Sequence, residues 1–231
     1  MKAPPLQNPP ERLTFHHPQP FINMSEITKI QLSALDAIEE RRAIKHYDPT
    51  FKLGKAEIEN LATLASKAPT SFNIQHYRFV AVTDPVLKGE LQKAAYDQPQ
   101  VGECSVLFIV AADLKAWARD PARYWYNTPK EVQEGVAGAI RGFYEDNEVA
   151  QRDDAMLSAG MAAQTLMLAA KALGLDSCPM RGFDFAKVAK LVNLPKDHVL
   201  AMMVAVGKAA EPAHPRPGPL PLAELLHMEK F

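Results

Sequence analysis

The stretch DDAMLSAGMAAQTLMLAAKALG, residues 153–174, decides the fold. Asp153 is placed to cap a helix and Gly174 to stop it. Between them apolar residues fall on every face rather than on one stripe, so this helix is expected to be buried on all sides. It is no membrane span. Ala155 to Ala170 carries Ser158, Gly160, Gln164 and Thr165 and falls short of the ~20 apolar residues that a bilayer demands. A single layer of partners leaves one side of such a helix open, so its expected neighbour is a second copy of the chain.

Working outward, Tyr77–Thr83 alternates and is β-rich, while Val106–Ala112 and Leu200–Val206 are continuous apolar runs, the mark of buried strands. Helices are expected from Ser33 to about Arg42 (with Leu35 and Ile38 facing inward), over Lys55–Lys67, Val86–Ala95, Pro129–Val149, Asp153–Leu173 and Asp184–Leu191. Three strong strands among these helices predict a three-layer αβ domain over residues 33–231. Six of the nineteen prolines lie in the first twenty residues and five in 212–221. Proline lacks a donor N–H and fixes φ, which excludes regular helix or central strand there. Residues 1–32 read as a disordered or draped arm. The Pro-rich tail instead ends in Leu220, Leu222, Leu225 and Leu226, an arm expected to dock on something apolar.

At 231 residues, 47% apolar, 23% charged and net charge −1, the chain can bury a full core and lacks the basic excess of a nucleic-acid binder. Cys104 and Cys178 match no zinc or CxxC spacing and read as buried small residues of a protein in a reducing, cytoplasmic compartment. His16 and His17 read as solvated. No metal site is expected.

Three polar constellations remain. Arg41-Arg42-Ala43-Ile44-Lys45-His46-Tyr47 collects cations at a helix end, where they either complement the macrodipole or clamp an anion. In Pro69-Thr70-Ser71-Phe72-Asn73-Ile74-Gln75, hydroxyls and amides either satisfy a turn or read the edge of a flat heterocycle. Ser177-Cys178-Pro179-Met180-Arg181-Gly182-Phe183 reads as a constrained bend between helices, either a plain connection or a display of backbone amides. GxGxxG and GxxxxGK[ST] are absent, as are GxSxG and HExxH.

The order ERRAIKHYD, APTSFNIQHYRF, GLDSCPMRGFD and a Pro-rich tail ending LPLAELL resembles the nitroreductase family of FMN flavoproteins, over about residues 33–227. The resemblance implies an α+β, three-layer αβα sandwich with a mixed or antiparallel central sheet, in an interlocked homodimer. It implies that Arg41, Arg42, the backbone at Ala43, and Lys45 hold the FMN phosphate and the pyrimidine edge, with Arg216 closing on the phosphate. Pro69, Thr70, Ser71, Asn73 and Gln75 would reach the flavin from the partner subunit. Pro179, Met180, Arg181 and Gly182 would lie along the isoalloxazine, with the Arg181 N–H near N5, and Phe143 would overhang the substrate.

Ala43 stands where the family has serine, His76-Tyr77 where it has Pro-Trp, and Arg181 where many members have Gly or Glu. A cation at 181 would favour an anionic substrate or the phosphate of NADPH. The implied activity passes two electrons from NAD(P)H to a nitroaromatic or quinone by a ping-pong route. No side chain is expected to be a covalent catalyst, because the flavin carries the chemistry. Dehalogenation, enal or semialdehyde reduction and non-catalytic flavin binding are the alternatives. The aromatic-rich segment 117–149 is either a lid or an open wall.

Overall fold

A computed structural model describes residues 32–231. The expected N-terminal arm lies almost wholly outside the described residues. The elements run α1 (Ala34–Glu40), α2 (Lys55–Ala65), β1 (Tyr77–Val82), α3 (Pro85–Ala94), α4 (Pro99–Glu103), β2 (Val106–Asp113), α5 (Lys130–Tyr144), α6 (Glu148–Ala172), β3 (Asp176–Met180), α7 (Phe185–Leu191), β4 (His198–Gly207) and α8 (Leu222–Leu225). The strands form one antiparallel sheet in the order β1-β2-β4-β3.

Strand β2 explains the layering. All eight of its residues are buried, and alternate side chains enter different clusters. Leu107, Ile109 and Ala111 pack with Leu91 of α3 and Val188 of α7. Phe108, Val110 and Ala112 pack with Ala159, Ala163 and Leu166 of α6 and Leu61 of α2. A sheet covered on both faces needs no polar side, which is why its central strands read as continuous apolar runs. The architecture is therefore α+β with helices on each face of the sheet.

Local chemistry sets the helix ends. Ser33 Oγ accepts the Asp36 N–H at 3.1 Å, Asp84 that of Leu87 at 2.8 Å, and Asp184 that of Lys187 at 3.0 Å. Gly174, at φ 75°, ends α6 in the left-handed region, as expected.

Three expectations need correction. Helix α6 starts at Glu148, not after Asp153. Asn147 is the cap, its Oδ1 accepting the Ala150 N–H at 3.1 Å, and the polar run 148–153 is its first turns. Within one chain α6 keeps an open stripe, the side for which a second copy is expected: Leu157 is 62% exposed and Met161 39%, one helical turn apart. On α1 the buried side chain is Ala37, while Leu35 and Ile38 are exposed. Finally, the constellation read as a bend begins as a strand, β3. Pro179 sits there opposite Val204, tolerated because β3 is an edge strand.

Candidate functional site

The sheet has two edges, and each carries part of the predicted site. At the β3 edge the segment following α1 runs beside the strand. Ala43 bridges Ser177 in parallel, with the Ile44 N–H donating to the Ser177 carbonyl at 3.2 Å. Tyr47 pins the segment down. Its N–H donates to Glu103 Oε2 at 3.0 Å and its buried hydroxyl to the Ala205 carbonyl at 3.3 Å. Its ring lies so close to Gly207 that a Cβ there would sit 2.9 Å from Tyr47 Cδ1. Burial pushes the Tyr47 phenol far up. The first and third constellations, separate in sequence, are thus one surface.

That surface is cationic and uncompensated. Arg42 Nη1 donates to the Glu39 carbonyl at 2.6 Å and the Arg41 carbonyl at 3.0 Å. Arg216 Nη2 reaches the carbonyls of Ile38, Glu39 and Arg41 at 3.2–3.4 Å. These two do cap the end of α1, as cations at a helix C-terminus should. Arg41 and Lys45 are not used in that way. The half-buried Arg41 guanidinium has its pKa lowered, first by burial and then by repulsion from Arg216 and Arg42. Lys45 Nζ lies 3.8 Å from Cys178 Sγ, a thiol that burial pushes up and Lys45 draws back down. Among the described residues, none of the four cations has a carboxylate within 4.0 Å. At the same edge, Ser177 Oγ is buried without a hydrogen-bond partner.

Past β3 the chain turns at Arg181 and Gly182. The Gly182 carbonyl accepts from Gln98 Nε2 at 2.7 Å, and the Asp184 N–H donates to the Ala94 carbonyl at 2.8 Å. Sequence reading missed Gln98. It follows Tyr96 and Asp97, two consecutive left-handed residues at φ 57° and 56°. Its one signal was the polar run Asp97-Gln98-Pro99-Gln100 between α3 and the next strand. Backbone held in that region by non-glycine residues is strained, and such strain collects at functional sites.

The second constellation sits at the other edge, leading into β1. Phe72, Asn73 and Gln75 are all left-handed, at φ 50°, 58° and 54°. Thr70 Oγ1 accepts the Gln75 N–H at 3.0 Å, Asn73 Nδ2 donates to the Tyr124 carbonyl at 2.9 Å, and Trp125 Nε1 donates to the Phe72 carbonyl at 3.0 Å. The Tyr144 hydroxyl donates to Asp154 Oδ2 at 2.6 Å. His76 is fully buried against Ser158 Oγ at 3.1 Å, its Nε2 is unpartnered, and burial lowers its pKa to about 4. Phe143, half exposed, packs 5.9 Å from the Phe72 ring and 4.9 Å from that of Tyr144. Pro69 and Ser71 are exposed on this loop.

Within one chain these two groups do not meet. Arg41, Arg42, Ala43, Lys45, Pro179, Met180, Arg181, Gly182 and Arg216 gather at the β3 edge. Pro69, Thr70, Ser71, Asn73, Gln75 and Phe143 gather at the β1 end. Two strands separate the edges, about 14 Å at the usual spacing. Among the described residues Asp113, Asp197 and His198 also cluster, but Arg78 and Arg119 already bind the buried Asp113 carboxylate, at 2.9 and 2.5 Å.

A three-layer sandwich with an uncompensated cationic edge defines the class: α+β proteins with donors fit for a phosphorylated ligand. The nitroreductase family model matches residues 38–208, and the chain belongs to the nitroreductase family. It is 48% identical over 204 residues to the protein DrgA of Synechocystis, covering 86% of this chain and 97% of that one. It is 30% identical to the CLA biosynthesis enone reductase of Lactiplantibacillus plantarum, covering 83% and 94%. Among solved structures, an Exiguobacterium sibiricum nitroreductase-type protein in complex with FMN aligns at TM-score 0.80 and 29% identity, over 87% of this chain and 100% of that one. Among the described residues no helix is long and apolar enough to cross a membrane.

Proposed function

We propose that the chain is an FMN-dependent oxidoreductase that works as a homodimer, taking electrons from NAD(P)H and delivering them in pairs to a nitroaromatic or quinone. The observation that carries this reading is the set of four cations at the β3 edge without a carboxylate partner among the described residues, beside the orphaned buried hydroxyl of Ser177. Guanidinium forks and an ammonium suit a phosphate and an electron-rich ring edge, and neutral surroundings would not need them. The donor set therefore fits FMN.

Arg41, Arg42 and Arg216 would hold the phosphate. Lys45, flanked by the backbone at Ala43, would stand at the pyrimidine edge, a fixed charge aimed where negative charge gathers. Pro179 to Gly182 would lie along the ring, with the Arg181 N–H donating. When bound, FMN supplies the hydride and electron chemistry that no side chain of the protein can. Pro69, Thr70, Ser71, Asn73 and Gln75 would come from the second copy, with Phe143 over the acceptor. The open stripe at Leu157 and Met161 and the exposed leucines of the C-terminal arm (Leu220, Leu222, Leu225, Leu226) support the dimer. One shared slot for donor and acceptor gives ping-pong kinetics. Cys104 and Cys178, both free and buried, agree with a reducing cytoplasm.

The likeness to an enone reductase favours a second reading, reduction of an activated C=C bond on the same scaffold. Anaerobic titration of the purified protein tests both. The first reading expects a yellow protein, bleached by NADH or NADPH and recoloured by a quinone or nitroaromatic. Recolouring by an enone alone favours the second. A yellow protein inert to both nicotinamides is a flavin-binding protein without this activity, and a colourless one that takes up no FMN refutes the account.

A further inference from the structure

Beyond the end of β3, strand β4 continues from His198 to Met202 without a paired strand on that side among the described residues, because β3 pairs only with residues 203–207. The gap opens into a cavity of about 420 Å³. Its body is apolar: Phe185, Ala186 and Ala189 of α7, then Leu194, Val199 and Leu200. Its polar lining is Arg181 from the bend, Arg152 from the first turns of α6, and His198.

Charge is what sets this cavity apart. Neither Arg152 nor Arg181 has a carboxylate within 4.0 Å among the described residues. Arg181 is held over the Phe185 ring, 5.2 Å from its centroid, which fixes its direction without neutralising it. The acids beside His198 are committed elsewhere. Asp197 is bonded to His198 Nδ1 at 2.7 Å and to Arg119, and Asp113 to Arg78 and Arg119. Two exposed guanidinium groups therefore border an open apolar cavity, and among the described residues neither has a carboxylate within 4.0 Å.

We infer that this cavity selects acidic acceptors: a flat or hydrocarbon body in the apolar chamber, with its carboxylate on Arg152 and Arg181. This rests on the reading of the chain as a reductase and names the substrate class of that same site, since Arg181 belongs to the bend assigned to the ring. A carboxylate and the 2′-phosphate of NADPH share the chemistry that two guanidiniums recognise. The body of the cavity separates them, because six of its nine lining residues are apolar and offer no side-chain partner to ribose hydroxyls.

The test compares 4-nitrobenzoate with its neutral isostere 4-nitrobenzamide, first by titration calorimetry on the oxidised, flavin-loaded protein and then by kcat/KM. The wild type should bind the acid at least about tenfold more tightly, the value of one charge-assisted contact. In Arg152→Gln and in Arg181→Gln that ratio should fall to about threefold or less, and Arg152→Lys should restore part of it. Equal binding of acid and amide by the wild type would overturn the proposal. So would a ratio that survives both substitutions, or substitutions that change only the preference between NADPH and NADH. The binding ratio is read without turnover. A protein that discriminates the acid yet reduces nothing would sink the assigned activity and leave the acid-binding cavity standing.

Discussion

The two edges of the sheet are built by opposite means. The β3 edge is held by main-chain bridges and a buried tyrosine, and it leaves its cations unneutralised. The β1 end is held by side chains: amides and an indole tie three left-handed residues to a cluster of aromatic rings, with His76 and Tyr144 beneath. One edge keeps its binding capacity in reserve, whereas the other spends its polar groups holding its own shape. Loss of a side chain should therefore cost ligand alone at the first edge, and stability as well as ligand at the second.

The largest expected effect is at the β3 edge. Arg41→Ala combined with Lys45→Met should weaken FMN binding at least about a hundredfold, from two lost charge-assisted contacts. Thermal stability of the flavin-free protein should change little, within about 0.5 kcal/mol per site. Fluorescence titration with FMN and a melting curve check both halves. A large loss of stability would erase the contrast.

At the β1 end the strongest effect is set by pH. Burial lowers the His76 pKa from 6.5 to about 4, so the unfolded chain binds a proton before the folded one does. That contribution is complete above pH 6.5 and is lost as pH falls toward 4, amounting to about 3 kcal/mol. Urea unfolding across that range should show the slope, and His76→Leu should flatten it. An unchanged slope would mean that His76 is not the group responsible.

Tyr144→Phe comes next. It strips the partly buried Asp154 of its donor and should cost about 1–3 kcal/mol by denaturant unfolding. The smallest effect is expected from Gln98→Ala, which removes the hydrogen bond to the Gly182 carbonyl. About 1 kcal/mol of stability should go, together with faster hydrogen exchange at the 181–184 bend.

The sequence made the layers legible because period and burial are local signals. Val106–Ala112 read as a buried strand for the reason that it is one: both faces are covered. Strand β3 was missed because Pro179 and the polar residues around it carry no β pattern, and only the tertiary edge position makes them a strand. The inward placement of Leu35 and Ile38 failed for a related reason. Local spacing identifies an apolar face but not whether this protomer covers it. At the candidate site the three constellations were visible, yet Gln98 and Arg152 were not. Each owes its place to residues distant in sequence: Gln98 bonds the Gly182 carbonyl, and Arg152 lines the same cavity as Arg181. Motif spacing cannot express such a relation.

The central claim is that a complete site needs the β3 edge of one chain and the β1 end of another. Differently tagged chains, one carrying Arg41→Ala and Lys45→Met and the other Ser71→Ala and Asn73→Ala, can be co-expressed and the mixed dimer isolated for measurement of bound FMN. Each variant alone should retain almost none, while the mixed dimer should regain flavin in one of its two sites. A mixed dimer as empty as its parents would show that each site is built within a single chain.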